Sequence, residues 1–178
     1  EYNGTVYASL QAAVNAAAAS GGMVTLQMDV GERITVNDGM NVTIDLNNNG
    51  WTTDGNIAYA TLVVTGGSVT VQNGELTSGT SSRAYTAVEV KGGKLTVGEN
   101  MTIQGGSMAA DRQFPAIDVK GGELVLSVGA TLVGGLKVPE DKHLSDYLPE
   151  GTAFGLRSYD KATGTWTEDT ALFADAYT

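Results

Sequence analysis

Three stretches of the chain can be laid over one another. Residues 60–71 (ATLVVTGGSVTV), 87–97 (AVEVKGGKLTV) and 116–126 (AIDVKGGELVL) each read as a strand, a Gly-Gly corner and a second strand. The corners begin at Gly66, Gly92 and Gly121, spaced by 26 and then 29 residues. A period of that length marks a coil whose turns stack, because one such unit cannot bury its apolar side alone. An imperfect earlier copy, residues 34–44 (ITVNDGMNVTI), begins 28 residues before Leu62.

Each unit contains three short apolar-alternating segments. In one copy they are 88–90, 95–97 and 101–103, and in the next 117–119, 124–126 and 131–133. Period-two pleating sends Val88 and Val90 inward and Glu89 outward. Three strands and three corners close a turn, and turns about 4.8 Å apart generate three parallel sheets around a column of Val, Ile and Leu. Gly and Asn gather at the corners, as in Asn37-Asp38-Gly39, Asn47-Asn48-Asn49-Gly50 and Asn73-Gly74, because both tolerate left-handed backbone angles. The expected fold is all-β: a right-handed parallel β-helix of about four turns, its hand following the general preference of parallel crossovers. An antiparallel sandwich of short strands is the competing architecture.

A coil has two ends that expose strand edges and core, and both need covering. Residues 9–22 (SLQAAVNAAAASGG) predict an N-terminal capping α-helix, with Ser9 as N-cap, Leu10, Val14 and Ala17 on one face, and Gly21 as the stop. After Gly135 the repeat is lost. Residues 154–159 and 165–167, joined by a polar turn, predict a C-terminal hairpin that caps the coil or joins it to a following segment. The expected organisation is therefore an N-terminal cap at 1–22, β-helix repeats at 23–135 and a C-terminal cap or linker at 136–178.

Composition narrows the function classes. Ten basic residues against twenty acidic ones give a net charge of −10, which repels phosphate backbones and argues against a nucleic-acid partner. No apolar run approaches the ~20 residues of a membrane helix, so no membrane insertion is expected. With no cysteine, thiolate metal sites, disulfides and cysteine nucleophiles are excluded. The chain begins at Glu1 with neither Met nor a leader-like segment, which reads as a processed or excised part of a larger multidomain chain.

The 8–46 run ASLQAAVNAAAASGGMVTLQMDVGERITVNDGMNVTIDL, the repeated V-x-GG-x-L-T-V corners and the 148–166 segment LPEGTAFGLRSYDKATGTW resemble the β-helical repeat region of adhesin-like surface proteins from gut-dwelling Gram-positive bacteria. That resemblance implies an extracellular location, on the cell surface or secreted. It also implies the coil architecture shared with pectate lyases and other polysaccharide-active enzymes. Architecture carries no activity by itself.

Lyases on such coils need several outward carboxylates from neighbouring turns around a hard cation, with a base beside them. Glu89 above Asp118 is the one stacked outward pair, and these two are the candidate metal-binding residues. They are equally a solvated face whose repulsion Lys91 and Lys120 offset. The next turn offers Val63 instead of a third carboxylate. No cofactor is expected. His143, the single histidine, stands in a polar stretch, and no G-x-S-x-G motif is present to support a nucleophilic triad. A polysaccharide lyase or glycoside hydrolase with its site at Glu89 and Asp118 is the alternative function, and a passive spacer is another.

One constellation recurs in register. Tyr59, Tyr85 and Phe114 each lie three residues before the first strand of a turn, and Arg83 and Arg112 lie five before the last two. The longest insertions, 47–60 with Trp51, 78–86 and 104–115, emerge on the same edge. Such a ladder is either internal packing or, where its rings face solvent, a carbohydrate or peptide platform. The expected function is a non-enzymatic, adhesin-like binding or structural module with a glycan or host polymer as partner, contacted by Tyr59, Tyr85, Phe114, Arg83 and Arg112.

Overall fold

The computed structural model describes residues 1–53, 59–78, 85–109, 112–143, 146–147, 156–160, 163 and 165–169. Apolar alternation and the Gly/Asn corners produce the expected parallel β-helix. Face one stacks β2 (Ile34–Val36), β5 (Leu62–Val64), β8 (Val88–Val90), β13 (Ile117–Val119) and β16 (Leu136–Lys137). Face two stacks β1 (Met23–Thr25), β3 (Asn41–Asp45), β6 (Ser68–Gln72), β9 (Lys94–Val97) and β14 (Glu123–Leu126). Face three stacks β4 (Gly50–Thr52), β7 (Gly74–Thr77), β10 (Met101–Gln104) and β15 (Thr131–Val133). All neighbours within these faces run parallel, which removes the antiparallel sandwich. The chain visits the faces in the order one, two, three, and about three full turns separate its first triplet from its last.

The register keeps like above like. Ile34, Leu62, Val88 and Ile117 form one inward row, and Val24, Ile44, Val71, Val97 and Leu126 form another. These rows are buried almost completely, and at roughly 1.5–3 kcal/mol per buried aliphatic side chain they dominate stability. Trp51 departs from the sequence expectation. Instead of joining the exposed aromatic edge, it lies in β4, pairs in register with Leu76 and is wholly buried, its indole N–H donating to the Glu32 carbonyl at 2.6 Å.

The second glycine of each corner has a double requirement. Gly67, Gly93 and Gly122 have φ of 62°, 69° and 80°. A Cβ on Gly93 would also stand 2.4 Å from the Gly67 carbonyl oxygen one turn away. Backbone conformation and turn-to-turn stacking therefore both exclude a side chain there.

The start of the coil is closed by helix α1 (Leu10–Ala18), which lies against β1, β2 and β3 and buries Leu10, Ala13, Val14, Ala17 and Ala18. Ser9 accepts from the Ala12 N–H as the N-cap, and the Glu32 carboxylate accepts from the Leu10 and Gln11 N–H groups at 2.6 and 3.3 Å. That carboxylate sits where the helix dipole favours negative charge. Each strand edge at this end also finds a partner. The Gln11 amide pairs with both the N–H and the carbonyl of Thr35 in β2. Val30 pairs with β4 through Gly50 and Thr52, and Glu1 pairs with Thr25 of β1. Sealing these groups removes a template for strand addition.

The third corner carries the long insertions. One of them holds an antiparallel ribbon, β11 (Ser107–Ala109) with β12 (Arg112–Gln113). The expected C-terminal hairpin is β17 (Leu156–Asp160) with β18 (Thr165–Asp169), antiparallel over five residue pairs.

Candidate functional site

Face one differs from the other faces because three of its outward residues are buried too. Thr35, Val63, Glu89, Asp118 and Lys137 form its outer row, and Val63, Glu89 and Asp118 are only 2%, 6% and 6% exposed. The carboxylates expected on a solvated face are thus enclosed. Lys91 and Lys120 occupy the corner position after β8 and β13, and their ammonium groups turn back over the strands. The Glu89 carboxylate receives Lys91 at 3.0 Å and a close contact from Lys120. Asp118 Oδ2 receives Lys137 at 3.3 Å and Lys120 at 3.9 Å. Asp118 Oδ1 is buried and has no hydrogen-bond donor.

The electrostatics follow from this geometry. Burial alone pushes the Glu89 carboxyl up, but hydrogen bonds and the fields of Lys120 and Lys91 outweigh it and hold the group below its ordinary value of 4.5. Lys120 moves above its ordinary value of 10.5 because Glu89 accepts its hydrogen bond; desolvation opposes this, and the fields of Glu89, Tyr85 and Asp118 reinforce it. Tyr85 and Phe114 lie three residues before β8 and β13, and Lys91 and Lys120 directly follow those strands and turn back over them, so the aromatic edge and the charged row belong to the same two strands.

The aromatic candidates come together in two groups. Tyr85 and Phe114, both half-buried, have ring centroids 6.0 Å apart with planes tilted by 32°. Gly106 ties their backbones together, its N–H donating to the Tyr85 carbonyl and its carbonyl accepting from the Phe114 N–H, each at 2.8 Å. The Ser78 hydroxyl donates to the same Tyr85 carbonyl. Tyr59 is 55% exposed, and the Arg33 guanidinium carbon lies 4.9 Å from its ring centroid, a cation–π contact. Arg83 lies outside the described residues. Arg112 is placed in β12, and its side chain lies outside them. Sequence register found the three rings but missed Arg33, which belongs to an earlier turn and meets Tyr59 across 26 residues, a spacing with no motif.

Glu89 and Asp118, the candidate metal-binding pair, have their charges taken up by lysines. Among the described residues no three His, Cys, Asp or Glu side chains gather as a cation cage. His143 is exposed in the segment after the repeats, and its backbone N–H donates to Asp146 Oδ2 at 2.9 Å.

No protein-family model matches the chain, and no curated protein and no solved structure shows significant similarity to it.

Proposed function

We propose that this chain is a non-enzymatic binding module of a bacterial surface protein, working outside the cell, and that it holds a glycan along the edge carrying Tyr59, Tyr85 and Phe114. The observation that carries this reading is Tyr59, more than half exposed at the corner before β5, with a partly open ring pair at the equivalent corners of the next two turns. A solvent-facing ring offers an apolar face to the C–H side of a pyranose, and the adjoining Arg33 supplies planar donors for its hydroxyls. The location and source rest on the resemblance of the repeats to adhesin-like surface proteins. The lyase or hydrolase alternative requires free carboxylates, whereas Glu89 and Asp118 are engaged by ammonium groups.

The test is a glycan-array screen of the wild-type chain, followed by retention of Tyr59→Ala and Tyr85→Ala on the glycans that bind. Tyr59→Ala should weaken binding by on the order of 1 kcal/mol, about fivefold, while thermal stability stays nearly constant. An array without a single binder, or two variants that bind as well as wild type, would end the glycan reading.

A further inference from the structure

Basic residues are scarce in this chain, ten against twenty acidic ones, and their distribution is uneven. Arg33 directly precedes β2, Lys91 and Lys120 directly follow β8 and β13, and Lys137 lies in β16, so the strands of face one gather cations. In the rung itself, three ammonium groups meet two carboxylates, which leaves one positive charge in excess. The lysine side chains are 47%, 43% and 63% exposed for Lys91, Lys120 and Lys137, while the carboxylates beneath them are nearly closed to solvent. The surface presented to a ligand is therefore cationic. Each ammonium carries three donors, and the contacts to Glu89 and Asp118 leave donors over.

We propose that Lys91, Lys120 and Lys137 form an anion subsite continuous with the aromatic edge, and that the preferred ligand is an acidic saccharide. This rests on the glycan reading above and names its substrate class. The sugar ring stacks at Tyr85 and Phe114, which lead into β8 and β13, the strands that carry Glu89 and Asp118 beneath the lysines. Its carboxylate or sulfate takes the lysine donors, point charges that accept either geometry. Asp118 Oδ1, a buried acceptor without a donor, separates a saccharide from a bare anion. A sugar hydroxyl supplies the missing donor once the lysine chains part around the acid, and an inorganic ion cannot.

The experiment is calorimetric titration of the full chain with four probes: a uronic-acid oligosaccharide, its methyl ester, a sulfated neutral oligosaccharide and inorganic sulfate. The titrations run at ~50 and ~300 mM salt, where screening differs. Lys137→Gln removes the most exposed lysine of the rung, and Lys94→Gln on face two is the charge-matched control. Both are checked by thermal melting. The expected result is an acidic oligosaccharide, uronate or sulfated, held about tenfold tighter than the ester. Its affinity should fall about fivefold in Lys137→Gln and not in Lys94→Gln, and should weaken as salt rises. Whichever acidic form binds tighter identifies the acid. Equal affinity for acid and ester or equal losses in the two lysine variants would overturn the anion subsite, and inorganic sulfate bound as tightly as the acidic saccharide would overturn its preference for a saccharide, each while leaving a glycan platform in place. If none of the saccharides binds, the subsite and the glycan reading fall together.

Discussion

Among the described residues, two carboxylate–lysine rungs cross neighbouring strands of this coil, and they differ in what surrounds them. On face two, Lys94 and Glu123 are register partners with charged groups 2.7 Å apart and side chains 42% and 59% exposed. On face one, the Glu89 carboxylate is 7% exposed and holds two lysines at once. The chemistry is the same and the distances are similar. Water screens the first pair, so it contributes about 0–1 kcal/mol. In the second the carboxylate has lost most of its hydration while its lysines keep part of theirs, so removing a lysine leaves a charge that the surroundings solvate poorly. Contact distance alone is therefore a poor guide to what a rung contributes.

The largest effect should follow Glu89→Ala. Breaking a fully buried pair costs ~3–5 kcal/mol; because Lys91 and Lys120 are nearly half exposed, we expect about 2 kcal/mol here, read from urea denaturation. A loss below about 0.5 kcal/mol would make the two rungs equivalent.

The pH dependence sharpens the same contrast. Glu89 is held below its ordinary 4.5 in the folded chain, so its stabilisation is complete above that value and drains away as pH falls through the lower, folded value. The stability gap between wild type and Glu89→Gln should thus close on acidification below about pH 4.5. Lys120 is raised above 10.5, so its share is complete below 10.5 and is lost only as pH rises through the higher, folded value. A gap that stays constant down to about pH 3 would show that the lysines do not favour the Glu89 carboxylate in the folded state.

Asp118→Asn is expected to cost less than Glu89→Gln, under about 1 kcal/mol, because one of its oxygens already lacks a donor and its closest ammonium is the most exposed of the three. Equal costs for the two neutralisations would mean that the rung acts as one indivisible network. The smallest effect belongs to Glu123→Ala, within about 0.5 kcal/mol and erased near ~1 M salt, whereas the Glu89 effect should survive there because salt screens buried pairs less.

Much of the coil was legible before any coordinates. The Gly-Gly corners, the three-segment units, the capping helix with its Ser9 cap and the terminal hairpin all announce themselves through local pattern. Each reports a backbone requirement that the residues themselves carry. The aromatic register was equally readable, since a repeat places equivalent positions above one another, and the Tyr85–Phe114 contact follows from that. Other features were invisible for a common reason. Trp51 reads as part of a loop until β4 is seen to stack beneath β7. Gln11 reads as one more polar helix residue until its amide is found sealing β2. Arg33 and Tyr59 meet only because one turn closes on the next.

Alternation of apolar and polar residues determined which side of a strand each side chain takes, and repeat length determined that the strands stack in parallel. Those are properties of the chain, set by pleat geometry and by what a glycine permits. Whether an outward side remains wet was decided by the tertiary structure alone. Glu89 and Glu123 both point away from the core, yet one is enclosed and the other is not, because burial depends on neighbours brought in from other turns and no local pattern encodes their arrival.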